Sequence, residues 1–400
     1  METQEQHLIT LADNLPNLDL SPVEIDNDPK PGMALAVCYQ MGLQPVLLVR
    51  PAFAYGAYGV CSVWLGANDK KLYLRKMVLE CAGVTATPSD IVHYVPHLNV
   101  PKLVHYANHE AGPEPRLSDD MFEGMKQQHL WSMFSEFING PTLEKVIKQY
   151  ANKQMYIPET EIWRVGAALL SVVMKMQYPM GHGYQTEAKL HRDIRPRNIL
   201  VSNSPESTQT TFHLIDFGIA AGPDMMRRML PGNFDVCMIA EVLFGMMLHK
   251  ADPNPRQCCN FDNDVFSLSK RLPDWPYSEE LYSSISELHK YEHKSKTPLQ
   301  PKPQLRQWMK KFQTFATSSL EQATSDGKSI RLESVAPLPD TKSMLFKHSE
   351  ADEVIADLKL RKHNACCPFQ KAWVDEASLE IVQVEKDLEW APWMSKVCWS

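Results

Sequence analysis

Hydrophobic and polar positions change their period along the chain. Between residues 45 and 78 the apolar residues run in short blocks, at residues 46–49, 58–64 and 71–77, with Gly and Asn-Asp turns between them. That pattern predicts β-strands. Pro158-Glu159-Thr160 then opens a segment in which Ile162, Val165, Leu169, Val172, Val173 and Met176 fall on one face. Steps of three and four predict an amphipathic helix with proline near its start. Residues 234–249 repeat the spacing through Val236, Ile239, Ala240, Leu243 and Met247, and residues 304–320 do so through Leu305, Trp308, Met309, Phe312 and Phe315. Between the first two helices, residues 198–201 and 212–215 predict short strands. A strand-rich first third followed by a helix-rich remainder predicts an α+β chain in two lobes rather than one alternating sheet.

Irregular stretches divide these blocks. Residues 252–256 and 294–303 are proline-bearing loops, and residues 321–345 are rich in Ser, Asp and Pro and read as a linker. The tail places Trp390, Trp393 and Trp399 within twelve residues, which favours packing on the chain's own domain, because aromatics carry much of the buried area in cores.

Composition adds exclusions. Of 400 residues, 44% are hydrophobic and 22% charged, the balance of a globular protein with a sizeable core. Lys and Arg number 41 against 48 Asp and Glu, for a net charge of -7. Such a balance argues against a general nucleic-acid or membrane-surface binder. Residues 1–20 show neither a basic nor an apolar leader segment, and the nine cysteines are expected as reduced thiols. The pairs Cys258-Cys259 and Cys366-Cys367, the latter near His363, lack Cys-x-x-Cys spacing and are expected to be idle rather than zinc-bound.

Four features carry chemistry. Tyr55-Gly56-Ala57-Tyr58-Gly59 lies at the turn between two predicted strands, where glycines let backbone N–H groups approach phosphate oxygens. Lys76 follows Gly59 by 17 residues on the next strand, within reach of the phosphates under such a turn. His191-Arg192-Asp193-Ile194-Arg195-Pro196-Arg197-Asn198 matches the pattern H-R-D-x-x-x-x-N at every fixed position. In that pattern the Asp accepts the proton of an attacking hydroxyl and the Asn holds a Mg²⁺ ion. Eighteen residues after Asn198, Leu214-Ile215-Asp216-Phe217-Gly218 ends an apolar strand in D-F-G, and its Asp chelates Mg²⁺ on the phosphates.

With these motifs in order, residues 45–320 resemble the eukaryotic protein-kinase family. The resemblance implies a bilobal fold with a β-rich lobe over residues 45–137 and a helical lobe over 138–320. An extension would occupy residues 1–44, and the linker and Trp-rich tail residues 321–400. It further implies ATP bound with Mg²⁺ through Gly56, Gly59 and Lys76, with backbone groups of Glu136 to Ile138 offered to adenine. Asp193 and Arg195 would act in catalysis, Asn198 and Asp216 would hold metal, and Asp235 would be the buried Asp that opens the central helix of the large lobe. The wording SEFINGPTL over residues 135–143, Lys270-Arg271-Leu272-Pro273 before a Trp, and residues 305–313 are similar to the Bub-type mitotic-checkpoint serine/threonine kinases. That likeness implies protein substrates, checkpoint or kinetochore partners, and a place in the nucleus or cytoplasm, without direct nucleic-acid or membrane contact.

Three departures bear on activity. Arg195 stands where the family has Lys, keeping the charge but changing the hydrogen-bond geometry. Asp90, one methylene shorter than Glu, is the partner expected for Lys76. Only 17 positions separate Gly218 from Asp235, with no Ala-Pro-Glu between, so residues 220–233 must serve as both activation loop and peptide platform. Arg227 and Arg228 in that stretch are expected to be solvated. Three readings stay open: an active protein kinase, a pseudokinase scaffold, and a small-molecule phosphotransferase on the same fold.

Overall fold

The computed structural model describes residues 38–41, 44–56, 59–66, 71–81, 94–110, 128–179, 188–203, 210–222, 234–249, 275–290, 302–325 and 332. It is an α+β chain that divides into two units, with one division between Phe137 and Ile138. Residues 94–102 group with the second unit, although they fall inside the span 45–137 expected for the first lobe.

The first unit is an antiparallel sheet. Its strands are β1 (Cys38–Met41), β2 (Gln44–Gly56), β3 (Gly59–Gly66), β4 (Leu72–Cys81), β5 (Leu103–Glu110) and β6 (Gln128–Glu136), in the order β1-β2-β3-β4-β6-β5. The three apolar blocks of residues 46–77 form β2 to β4, with Gly56 opposite Gly59 at the β2–β3 turn. Strands β5 and β6 carry weaker apolar alternation in the sequence; β6 is supplied by pairing with β4, and β5 by pairing with β6. One face of the sheet gathers Ser62, Trp64, Tyr73, Arg75, Ser132 and Phe134, all buried. A guanidinium buried there needs acceptors and a π surface. Arg75 donates from Nε and Nη2 to Ser132 Oγ at 3.0 and 2.8 Å, and lies 5.4 Å from the centre of the Trp64 ring.

The second unit is helical, around one small β-ribbon. Its elements are α1 (Leu143–Asn152), α2 (Glu159–Gln177), β7 (Ile199–Asn203), β8 (Thr210–Leu214), α3 (Phe234–Leu248), α4 (Glu279–Lys290) and α5 (Lys302–Ser325). Helix α2 begins after Pro158 as its spacing predicts and buries the whole set Ile162, Val165, Leu169, Val172, Val173 and Met176. Apart from Asp235 and Glu241, helix α3 is apolar around its circumference, as a helix enclosed by others is, and Val236, Ile239, Ala240, Leu243, Phe244 and Met247 are buried. Helix α5 continues to Ser325, past the expected end at Leu320. Glu321, Gln322 and Ala323 are strong helix formers and extend it into the segment read as linker.

Two glycines permit close approaches. A Cβ on Gly166 would stand 2.3 Å from Cδ1 of Phe312, so α2 and α5 meet only because that side chain is missing. The Phe312 and Phe315 rings then pack on Trp163, one edge-on at 4.8 Å and one stacked at 4.7 Å. A Cβ on Gly140 would lie 1.8 Å from the Val201 carbonyl oxygen. There Val201 N–H donates to Pro141 O at 2.8 Å, and Thr142 caps α1. The start of α1 is thereby tied to β7. Residues 94–102 dock on the same ribbon: Asn99 O accepts from Leu214 N–H and Asn99 Nδ2 donates to Phe212 O, both at 2.8 Å.

Candidate active site

The chain entering β7 carries His191 to Asn198, and the chain leaving β8 carries Asp216. The β7–β8 ribbon holds them together: Ile199 pairs with Leu214, and Ile215 N–H donates to Asn198 O at 2.9 Å. A second bridge closes the far end, with Leu190 and Ala221 exchanging both backbone hydrogen bonds at 2.9 and 3.0 Å. The two motifs are therefore strapped to each other on both sides.

Asp235, in the first turn of α3, lies under the loop. Its carboxylate accepts from His191 N–H through Oδ2 and from Arg192 N–H through Oδ1, both at 2.9 Å. These bonds hold Arg192 at φ 71°, a left-handed conformation uncommon for a side-chain-bearing residue. Arg192 also reaches Ile219 O from Nη1 at 3.0 Å. Burial pushes the Asp235 carboxyl up, while the two backbone N–H groups and the nearby His191 and Arg192 pull it down.

His191 is fully enclosed. Its Nδ1 accepts from Asp193 N–H at 3.3 Å and its Nε2 faces Ile215 O at 3.2 Å. A carbonyl can only accept, so the proton resides on Nε2 and the ring is neutral. Burial lowers its pKa in agreement, against the opposing charges of Asp235, Asp216 and Asp193. The Phe217 ring meets it edge-on at 4.8 Å. One imidazole thus spans both motifs, with one nitrogen on each.

Above this base Asp193 presents its carboxylate. Asn198 Nδ2 donates to Asp193 Oδ2 at 2.7 Å and to its backbone oxygen at 2.9 Å, while Arg195 Nε lies 3.1 Å from Oδ1. Arg197 Nη2 stands 4.0 Å from Oδ2. Asp193 keeps a side-chain exposure of 18%, enough for contact with a reactant. Because Nδ2 of Asn198 is spent on Asp193, its Oδ1 is the oxygen left to face a cation. Asp216, at φ 67° immediately after the ribbon, supplies a carboxylate close enough to act on the charge of His191. An amide oxygen and a carboxylate are the hard donors that Mg²⁺ takes.

The remaining expected residues lie in the sheet unit or at its border. Lys76 is half-buried on β4, opposite Cys61 of β3. Paired residues and their i±2 neighbours share a face, so Lys76 and Gly59 belong to one face of the sheet. Glu136 ends β6 opposite Tyr73, and Phe137 N–H is already given to Leu72 O at 3.2 Å. Ile138 begins the stretch leading to Gly140 and α1. Asp90, Arg227, Arg228, the Lys270–Pro273 run, both adjacent cysteine pairs and the three tail tryptophans lie outside the described residues. Arg197 was given no role by the motif, where it occupies a variable position; its four-residue offset from Asp193 across the short helical turn Pro196–Asn198 brings it near.

Comparison with protein-family models and with curated proteins returns no match. Among the described residues, no helix is long and apolar enough to cross a membrane.

Proposed function

We propose that this chain is an ATP- and Mg²⁺-dependent serine/threonine protein kinase of Bub type, built as a bilobal kinase fold and acting on proteins in mitotic-checkpoint signalling. The observation that carries the reading is the arrangement at Asp193. Its carboxylate is oriented by Asn198 and Arg195 on a loop clamped by Asp235 and joined to the Asp216 segment through His191. Phosphoryl transfer depends almost wholly on positioning and electrostatics, and this web of bonds provides positioning.

In this reading Asp193 accepts the hydroxyl proton of the substrate. Arg195 sits against Asp193 with its guanidinium partly exposed, so it both orients that carboxylate and places positive charge where the transferring group gains negative charge. Asn198 Oδ1 and Asp216 would hold Mg²⁺, which neutralises phosphate charge when bound. Gly56, Gly59 and Lys76 would hold the nucleotide phosphates, and the backbone from Glu136 to Ile138 the adenine. The short stretch between Gly218 and Asp235 favours a second reading, a scaffold that binds nucleotide with little transfer.

Purified protein is assayed for γ-phosphate transfer to a panel of proteins and small metabolites. Asp193→Asn should lower turnover by ~10²-fold or more, the share a positioned general base supplies. It should leave intact the rise in melting temperature caused by ATP with Mg²⁺. Transfer to metabolites alone would point to the small-molecule phosphotransferase. Binding without transfer would point to the scaffold, and an unmoved melting curve at millimolar ATP would overturn the nucleotide assignment.

A further inference from the structure

A second group of ligating side chains lies away from the Asp193 loop, between α3 and α4. Cys237 and Glu241 are one turn apart on α3, an i, i+4 pair on a common face, and His289 comes from the last turn of α4. One ligand atom from each of the three lies within 4.8 Å of the others, and Cys237 Sγ stands 3.8 Å from Glu241 Oε1. Cys237 and His289 are buried, at 4% and 6% exposure, and Glu241 is half-buried.

We propose that Cys237, Glu241 and His289 bind a zinc ion that fastens α3 to α4. Tetrahedral zinc holds sulfur at about 2.3 Å and nitrogen or oxygen at about 2.0–2.2 Å, which sets its ligand atoms roughly 3.3–3.7 Å apart. The cluster is already near that spacing, and an inward shift of about 1 Å shared between two side chains completes it. The donor chemistry is selective. Thiolate with imidazole suits zinc, whereas Mg²⁺ prefers oxygen alone, so this site is distinct from the one assigned to Asn198 and Asp216. Charge also fits: a thiolate and a carboxylate balance Zn²⁺, so the filled site is neutral and escapes most of the cost of burying net charge. Three protein ligands leave one position for water, as in zinc sites that are not fully enclosed by protein. Cys237 follows Asp235 by two residues, so the ion would anchor to α4 the same helical turn that clamps the His191–Arg192 backbone. The assignment does not depend on the kinase reading.

The full chain is stripped with chelator and titrated with Co²⁺, then Zn²⁺. Expected are one Co²⁺ per chain, a thiolate-to-cobalt charge-transfer band with the intense visible bands of tetrahedral cobalt, and displacement by zinc with a rise in melting temperature. Cys237→Ser should abolish the charge-transfer band. Glu241→Gln, nearly isosteric and at a half-exposed position, should keep the band and weaken zinc binding by at least about tenfold, since even residues behind metal ligands cost that much. Absence of cobalt binding would overturn the proposal, as would a band of equal strength in Cys237→Ser, which would place the thiolate elsewhere. If Cys237→Ser does not fold, Glu241→Gln decides: unchanged zinc affinity overturns the site.

Discussion

Trp163 and Asp235 are both buried in the helical unit, and opposite physics holds the regions around them. Around Trp163 the partners are apolar: Phe312 and Phe315 cover its faces, and Gly166 leaves the space that lets α5 approach. The indole Nε1 donates to Glu159 Oε1 at 3.0 Å. Around Asp235 the partners are polar: two backbone N–H groups, a neutral imidazole and the charge of Arg192. The first region is stabilised by the area it removes from water. The second spends stability on desolvation to hold a loop in one conformation, including the left-handed backbone of Arg192. Packing makes the unit stable, and the buried charge makes the loop specific.

Three changes test that contrast, from the largest effect to the smallest. Phe312→Ala should cost about 3–5 kcal/mol, the usual price of emptying an aromatic site, because Trp163 cannot collapse into the space. Denaturant midpoints should drop equally at every pH, and a pH-dependent loss would show that charge matters there too.

Glu161, two residues before Trp163 on α2, is a buried carboxyl within the packed helices. Burial pushes its carboxyl up from 4.5 to about 7, against the pull of Arg164, whose Nη1 lies 2.8 Å from Oε1. Between those values the folded state keeps a proton that the unfolded chain has released, so stability falls as pH rises from about 4.5 to about 7. The change is about 3 kcal/mol at most. Glu161→Gln should flatten that slope in denaturant midpoints, and an unchanged slope would assign it to other groups. His191 acts with the opposite sign. Its pKa is lowered in the fold from 6.5, so stability is lost as pH falls below about 6.5 and the unfolded chain takes up the proton first. In Glu161→Gln this acid-side loss should become visible.

Asp235→Asn should cost about 1–3 kcal/mol, the penalty of one buried donor losing its acceptor, since an amide has one oxygen for two N–H groups. Amide exchange at His191 and Arg192 should accelerate, while exchange at Trp163 stays slow. Equal acceleration at both places would erase the distinction between a region held by charge and one held by packing.

The apolar region was readable in advance because helical packing writes itself as spacing. Ile162, Val165, Leu169, Leu305, Trp308 and Phe312 recur at three and four, and each is buried. The candidate site was marked by residue types at set separations, His191 to Asn198 and Asp216 to Gly218, and the fold brings those two segments together at His191. Strands β5 and β6 were not, because a strand completed by its neighbours needs little pattern of its own.

What the chain alone determined is therefore local: which segments become helices or strands, and which side chains stand together on a short loop. The partners across long separations were decided by the tertiary structure. Examples are Asp235 under His191, Phe312 against Gly166, Arg75 on Ser132, and His289 beside Cys237. Periodicity and motifs report on neighbours along the chain, whereas a buried charge or cation can be placed only once folding shows which groups surround it and which carry the opposite charge.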